Sequence, residues 1–278
     1  MAKRPDGPPP PPTVQRLRLR FAKRGRLRFT SHRDFQRAFE RAIRRAGVPI
    51  AFSAGFSPHP KVSYAGAAPT GVASEAEYLE IALAEVCDPE AVRAALDSAL
   101  PDGFDVEEAV LAGPGSLADR LEASVWEIAL DGVTPAEAGD AVATFLAADA
   151  VEVERMTKGG LRTFDARGAV LAASVLEGGC AAAPTDGSCA ILRVVVRHVT
   201  PAVRPDDVLS GLRRVADLAP PRPPRVTRLA QGPLDTESVG VLDPLAVDRN
   251  TGVPSSPDRT TASSAEGSAP DQAQVYAG

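Results

Sequence analysis

From Arg16 the chain alternates strictly, with Leu17, Leu19 and Phe21 on one side and Arg16, Arg18 and Arg20 on the other. That pattern predicts a half-buried strand with a cationic outer row. Lys23-Arg24-Gly25 reads as a turn, after which Arg26-Leu27-Arg28-Phe29 resumes the alternation. The period then changes. Phe35, Ala38, Phe39, Ala42, Ile43 and Ala46 recur at helical spacing behind Ser31, an N-cap with Asp34 three residues on, and Gly47 and Pro49 close the helix. Ile50 to Ser53 reads as a short strand and Glu77 to Leu83 as a longer alternating one. Asp88-Pro89 opens a second helix that carries Val92, Ala95, Leu96 and Ala99 inward, and Phe104 to Leu111 reads as a final strand.

A similar order begins again after Gly113-Pro114-Gly115. Trp126, Ile128 and Leu130 alternate along a strand, and Thr134-Pro135-Ala136-Glu137 is a capping box for a helix that buries Ala138, Val142, Phe145 and Leu146. Val151 to Met156 leads into the turn at Lys158-Gly159-Gly160, and Val170–Leu176 and Ala190–His198 read as strands, the second apolar enough to be central. A helix around Val208, Leu209 and Leu212 and an edge strand from Arg225 to Ala230 complete the series, with a loose Gly/Ala-rich hairpin inserted at Glu177 to Ser188. The expected fold is therefore α+β, two tandem ferredoxin-like βαββαβ modules over residues 14–112 and 121–232. Residues 1–13 are a polyproline arm, and residues 242–278, rich in Pro, Ser, Asp, Thr and Gly, are expected to be a disordered tail.

Charge sharpens the picture. Residues 1–64 hold 15 Lys and Arg against 3 Asp and Glu, while the remainder holds 16 against 33. The first module is thus basic and the rest acidic, which points to a polyanion-facing surface or an electrostatic seam. At about 100° per residue, Arg33, Arg37, Arg41 and Arg44 fall in a narrow arc opposite the apolar face of the first helix, where guanidinium groups can track phosphates. Gly55-Phe56-Ser57-Pro58-His59-Pro60-Lys61 is a rigid loop, because its prolines remove donors and restrict their neighbours, and it holds His59 in a defined direction.

Candidate chemistry is sparse. Ser31, His32 and Asp34 carry the letters of a hydrolase triad, but neighbours around a helix cap point apart and cannot form a relay. His59 and His32 are the only acid–base candidates, and no catalytic set is assigned. Cys87, Cys180 and Cys189 are too few and too irregularly spaced for a disulfide framework, and Cys180, Cys189 and His198 lack ligand spacing, so no metal or cofactor is expected. No cluster-binding cysteine run and no phosphate loop occurs. A soluble cytoplasmic protein is expected, without secretory signal or membrane span.

The run Phe21-x-Lys23-x-Gly25-x-x-Arg28-Phe29-x-Ser31-His32-x-Asp34, with Arg41-Ala42-x-Arg44-Arg45-Ala46-Gly47, Gly55-Phe56-x-Pro58-His59-Pro60 and Glu77-Tyr78, resembles the radical-SAM-linked family of unknown function. Lys158-Gly159 and Asp165-x-Arg167 resemble it more weakly, and the likeness spans roughly residues 15–230. Arg33 and Ser57 depart from it, standing where an aliphatic residue and an asparagine are expected. The resemblance implies a protein encoded beside, or fused to, a radical SAM enzyme, and in some bacteria near RNA-processing genes.

The expectation that follows is an accessory protein for a radical SAM enzyme that binds RNA or another polyanion. Arg28, Arg33, Arg37, Arg41 and Arg44 would hold phosphates, with Phe56, His59 and Lys61 at the edge of the site, and Lys158, Asp165 and Arg167 are second-module candidates. Two alternatives stay open: an RNA-processing or RNA-modifying enzyme with a histidine acid or base, and a protein-only scaffold.

Overall fold

The computed structural model describes residues 11–157, 159–177 and 188–249. The expectations placed on residues 1–10, on the 178–187 insertion, on Lys158 and on residues 250–278 lie outside the described residues. In chain order the elements are β1 (Gln15–Lys23), α1 (His32–Arg45), β2 (Val62–Ala65), β3 (Ala73–Leu83), α2 (Pro89–Ala99), β4 (Val106–Leu111), β5 (Ala123–Asp131), α3 (Pro135–Ala147), β6 (Glu152–Thr157), β7 (Gly160–Asp165), β8 (Val170–Leu176), β9 (Cys189–Arg197), α4 (Pro205–Ala216), β10 (Arg225–Gly232) and the short α5 (Ala246–Arg249). The mixed α+β class is the observed one.

The strands of both halves lie in one eight-stranded sheet in the order β4-β1-β3-β10-β5-β9-β8, with β2 also paired to β3 and β6-β7 a separate hairpin. Every neighbouring pair is antiparallel except β3 and β10, which run parallel and share only the registers Thr227 to Ala73 and Arg228 to Ser74. The halves are therefore joined by a very short stretch of ladder. On one side of the sheet α1 and α2 pack on Leu17, Leu19, Phe21, Leu79 and Ile81. Next to them α3 and α4 pack on Trp126, Ile128, Leu130, Leu192 and Val194. Each face follows from period-2 alternation meeting a helical stripe.

The caps read from the sequence are formed. The Ser31 hydroxyl accepts from Asp34 N at 3.2 Å, the Asp88 carboxylate from Ala91 N at 3.3 Å, and Thr134 and Glu137 complete a reciprocal capping box.

Four expectations are corrected. Gly25–Phe29 is a 3-10 turn rather than a continued strand, because Gly25, at φ +55°, swings the chain out of the ladder. Ile50 to Ser53 makes only isolated bridges, Ile50 to Leu83 and Phe52 to Pro60. β10 is central, not an edge strand: its polar Arg228 and Gln231, which gave it an edge-like composition, are buried at the seam between the halves.

The fourth correction concerns residues 242–249, expected as disordered tail. They form an ordered strap across the helix-free side of the first half. Leu245 is fully buried among Ala65, Ala76, Tyr78, Leu117 and Leu121. Buried Asp248 accepts from Arg18 at 2.9 Å, Arg120 at 2.8 Å and Gly113 N at 2.9 Å. Arg18, read as part of the cationic outer row, is consequently only 1% exposed, and its Nε donates to Glu80 at 3.0 Å. Burial alone would raise the Asp248 carboxyl, but hydrogen bonds from Arg120, Arg18 and Gly113 outweigh it and hold it below the usual carboxylate value.

Candidate nucleic-acid interface

α1 is positioned by its apolar stripe. Phe35, Phe39, Ala42 and Ile43 are buried, with Phe35 stacked on Phe21 at 4.5 Å between ring centroids. Locking that stripe down sends Arg33, Arg37, Arg41 and Arg44 outward, and all four are exposed. Their electrostatics differ from those of the strand arginines. Arg16 pairs with Glu80, Arg18 with Glu80 and Asp248, Arg20 with Glu108, and Arg24 with Glu75, Asp105 and Glu107. On α1, Arg37 reaches Asp34 at 3.8 Å, and among the described residues Arg33, Arg41 and Arg44 make no ion pair within 4.0 Å. The fold spends its nearby carboxylates on the sheet and leaves the helix cationic. Arg45, one step round the helix, instead donates to Ala99 O at 3.1 Å and bridges α1 to α2.

Arg28 sits on the 3-10 turn before α1 with its guanidinium 4.7 Å from the Phe29 ring, and Phe29 is 60% exposed. His32 is exposed at the first turn of α1, edge-on to Tyr64 at 5.0 Å and within 3.1 Å of the Gln36 amide. Neither contact supplies a carboxylate to prime a base.

The Gly55–Lys61 loop goes elsewhere. It is closed by Ser53 N to His59 O at 2.9 Å and His59 N to Ser53 Oγ at 3.0 Å, leaving His59, Phe56 and Lys61 exposed. His59 and Lys61 border a depression with Arg16, Ser63, Glu80 and Ala82. Those β1 and β3 positions alternate with the residues packed under α1, so the depression opens on the opposite side of the sheet. The structure thus brings Arg33, Arg37, Arg41 and Arg44 together, but not with His59 and Lys61.

Of the second-module candidates, Lys158 is outside the described residues. Asp165 accepts from Val151 N, Arg167 N and Gly168 N at 2.8–2.9 Å, and Arg167 donates to Leu146 O and Val170 O. Burial would raise the Asp165 carboxyl, yet the backbone donors hold it below its ordinary value. Both residues brace a turn. Cys189 is disulfide-bonded, against the expectation that the cysteines are too few and too irregularly spaced for a disulfide framework, and Cys87 is free. Among the described residues no three His, Cys, Asp or Glu side chains converge as metal ligands, and no helix is long and apolar enough to cross a membrane.

A polar cluster at the seam was not anticipated from the sequence. Arg228, only 3% exposed, donates Nε to Ser74 Oγ at 3.2 Å, Nη1 to Gly66 O at 2.6 Å and to Gln231 Oε1 at 3.1 Å, and Nη2 to Glu77. Glu77 also accepts from Ala68 N at 3.1 Å, and Lys23 Nζ donates to Pro69 O at 3.2 Å. Burial lowers the Lys23 ammonium below its ordinary value, with Glu77 opposing and Arg228 reinforcing the shift. The only sequence signal was a paired Glu77-Tyr78 and an arginine inside a strand.

A family model described as an uncharacterized protein conserved in bacteria (DUF2344) matches residues 16–205. No protein of curated function matches the chain. The crystal structure of an unknown protein from Galdieria sulphuraria aligns over 73% of this chain and 92% of its own at 17% identity, with a TM-score of 0.22.

Proposed function

This chain belongs to the DUF2344 family of uncharacterized bacterial proteins, and we propose that it serves as a non-catalytic accessory protein that binds RNA through the outer face of α1. The observation that carries the reading is selective neutralisation: the strand arginines of the first half are paired with carboxylates, whereas Arg33, Arg41 and Arg44 face solvent and, among the described residues, make no ion pair. A row of uncompensated guanidinium groups on a rigid helix is suited to bidentate contact with successive phosphates. Arg28 and exposed Phe29, at the head of the same helix, add a cation and an aromatic face on which a base can stack. A radical SAM enzyme as partner rests on the sequence resemblance alone. The strand orders β4-β1-β3-β2 and β10-β5-β9-β8, each all-antiparallel, support reading the two halves as ferredoxin-like modules.

The test is fluorescence anisotropy of labelled single-stranded and structured RNA across a salt series. Wild-type protein is expected to bind with a steep salt dependence, and Arg37→Glu/Arg41→Glu to weaken binding and flatten the log–log slope by roughly one per arginine altered. Absence of binding at low salt, or a charge-reversed variant that binds as wild type does, would overturn the reading and send the search to a protein partner.

A further inference from the structure

A cleft of about 510 Å³ opens on the helix side of the sheet where its two halves meet. One wall is loop 66–70; the others bring Trp126, Val196, His198, Val203, Arg204 and Arg228 to one space. The volume lies in the range of small-molecule sites, and seams between modules are where such sites are commonly built.

Charge defines the ligand. Among the described residues no carboxylate lines the cleft, whereas two guanidinium groups do, Arg204 and Arg228, the second paired with buried Glu77. Arg228 has five N–H donors and meets acceptors with four of them among the described residues, and its guanidinium carbon lies 5.4 Å from the centroid of the Trp126 ring. At the mouth Arg204 is exposed and makes no ion pair within 4.0 Å among the described residues, although its backbone N–H is capped by Asp207 at 2.7 Å. His198 is a wall and not a ligand: Nδ1 lies 2.7 Å from Leu121 O, so it donates there, and Nε2, 2.7 Å from Ser124 Oγ, accepts. Trp126, Val196 and Val203 supply an apolar side.

We propose that this seam cleft binds a phosphorylated small molecule of nucleotide size, its phosphate held between Arg204 and Arg228 and its ring against the apolar wall. An anionic phosphate matches two guanidinium groups facing one space better than a neutral ligand does. The proposal goes beyond RNA binding on α1 and does not depend on it.

Trp126 is the chain's single tryptophan, so its emission reports on this cleft directly. Titration of the full chain with uridine monophosphate is expected to give a saturable emission change, competed by inorganic phosphate, with uridine at least about tenfold weaker. Arg204→Glu, a surface change, is expected to weaken the nucleotide by about tenfold or more, whereas Arg37→Glu/Arg41→Glu leaves it unaltered. An equal response to uridine, a nucleotide response indifferent to Arg204→Glu, or neither emission change nor calorimetric heat would each overturn the proposal. The α1 reading fails separately, through loss of RNA binding with the nucleotide response intact.

Discussion

His198 shows how much a single side chain can conceal. Its sequence context, the end of an apolar strand, suggests nothing beyond a stray histidine, yet it ties β9 to the start of β5 through Leu121 O and Ser124. Burial lowers its pKa below the ordinary 6.5, opposed by the bond to Leu121 and reinforced by Arg228. A folded value below the unfolded one means that its stabilising contribution is complete above pH 6.5 and is lost as pH falls through the folded value. Wild-type protein should therefore lose more stability than His198→Gln between about pH 7 and about pH 5, read as the difference in urea midpoints. Lys23 acts in the same sense at the other end of the scale. Its lowered value makes stability rise as pH climbs from the folded value toward 10.5, a rise that Lys23→Met should abolish. Arg18 teaches a related lesson: alternation separates the two faces of β1, but it does not say which outer face meets water, and a strap nearly the whole chain away decides that.

At the level of elements, α1 was fully legible because cap, stripe and stop agree, and each signal is local in sequence. The strap was not, because residues 242–249 have a composition without apolar periodicity and hold on through Leu245, Asp248 and Arg249, side chains that only the finished sheet can receive. Asp248→Asn should cost about 3 kcal/mol in chemical denaturation, since it leaves Arg18 buried with Glu80 as its remaining carboxylate. A chain ending at Val241 should lose at least as much. The strap's carboxylate sits below the ordinary 3.8, so its contribution is complete above that pH and is lost as pH falls through the folded value.

For the whole molecule, the α+β class and the order of most elements could be read along the chain, whereas the joining of the halves could not. Two registers of parallel ladder say little in sequence, and the cluster that reinforces them unites Lys23, Glu77 and Arg228 across most of the fold. Arg228→Met should leave Glu77 buried beside Lys23 alone and cost about 3–5 kcal/mol. Calorimetry should then resolve two thermal transitions in place of one, each half retaining its own core. The position of β10 carries one more consequence. The family match stops at Pro205, but the strand that fills the gap between β3 and β5 lies at 225–232. A fragment trimmed to the matched residues would keep both flanking strands and lose what covers them, exposing the long raw edge of β5 beside a short open stretch of β3, whose free N–H and C=O groups template self-association. Such a fragment should precipitate or form ladders of oligomers, for reasons of architecture unrelated to anything the protein binds.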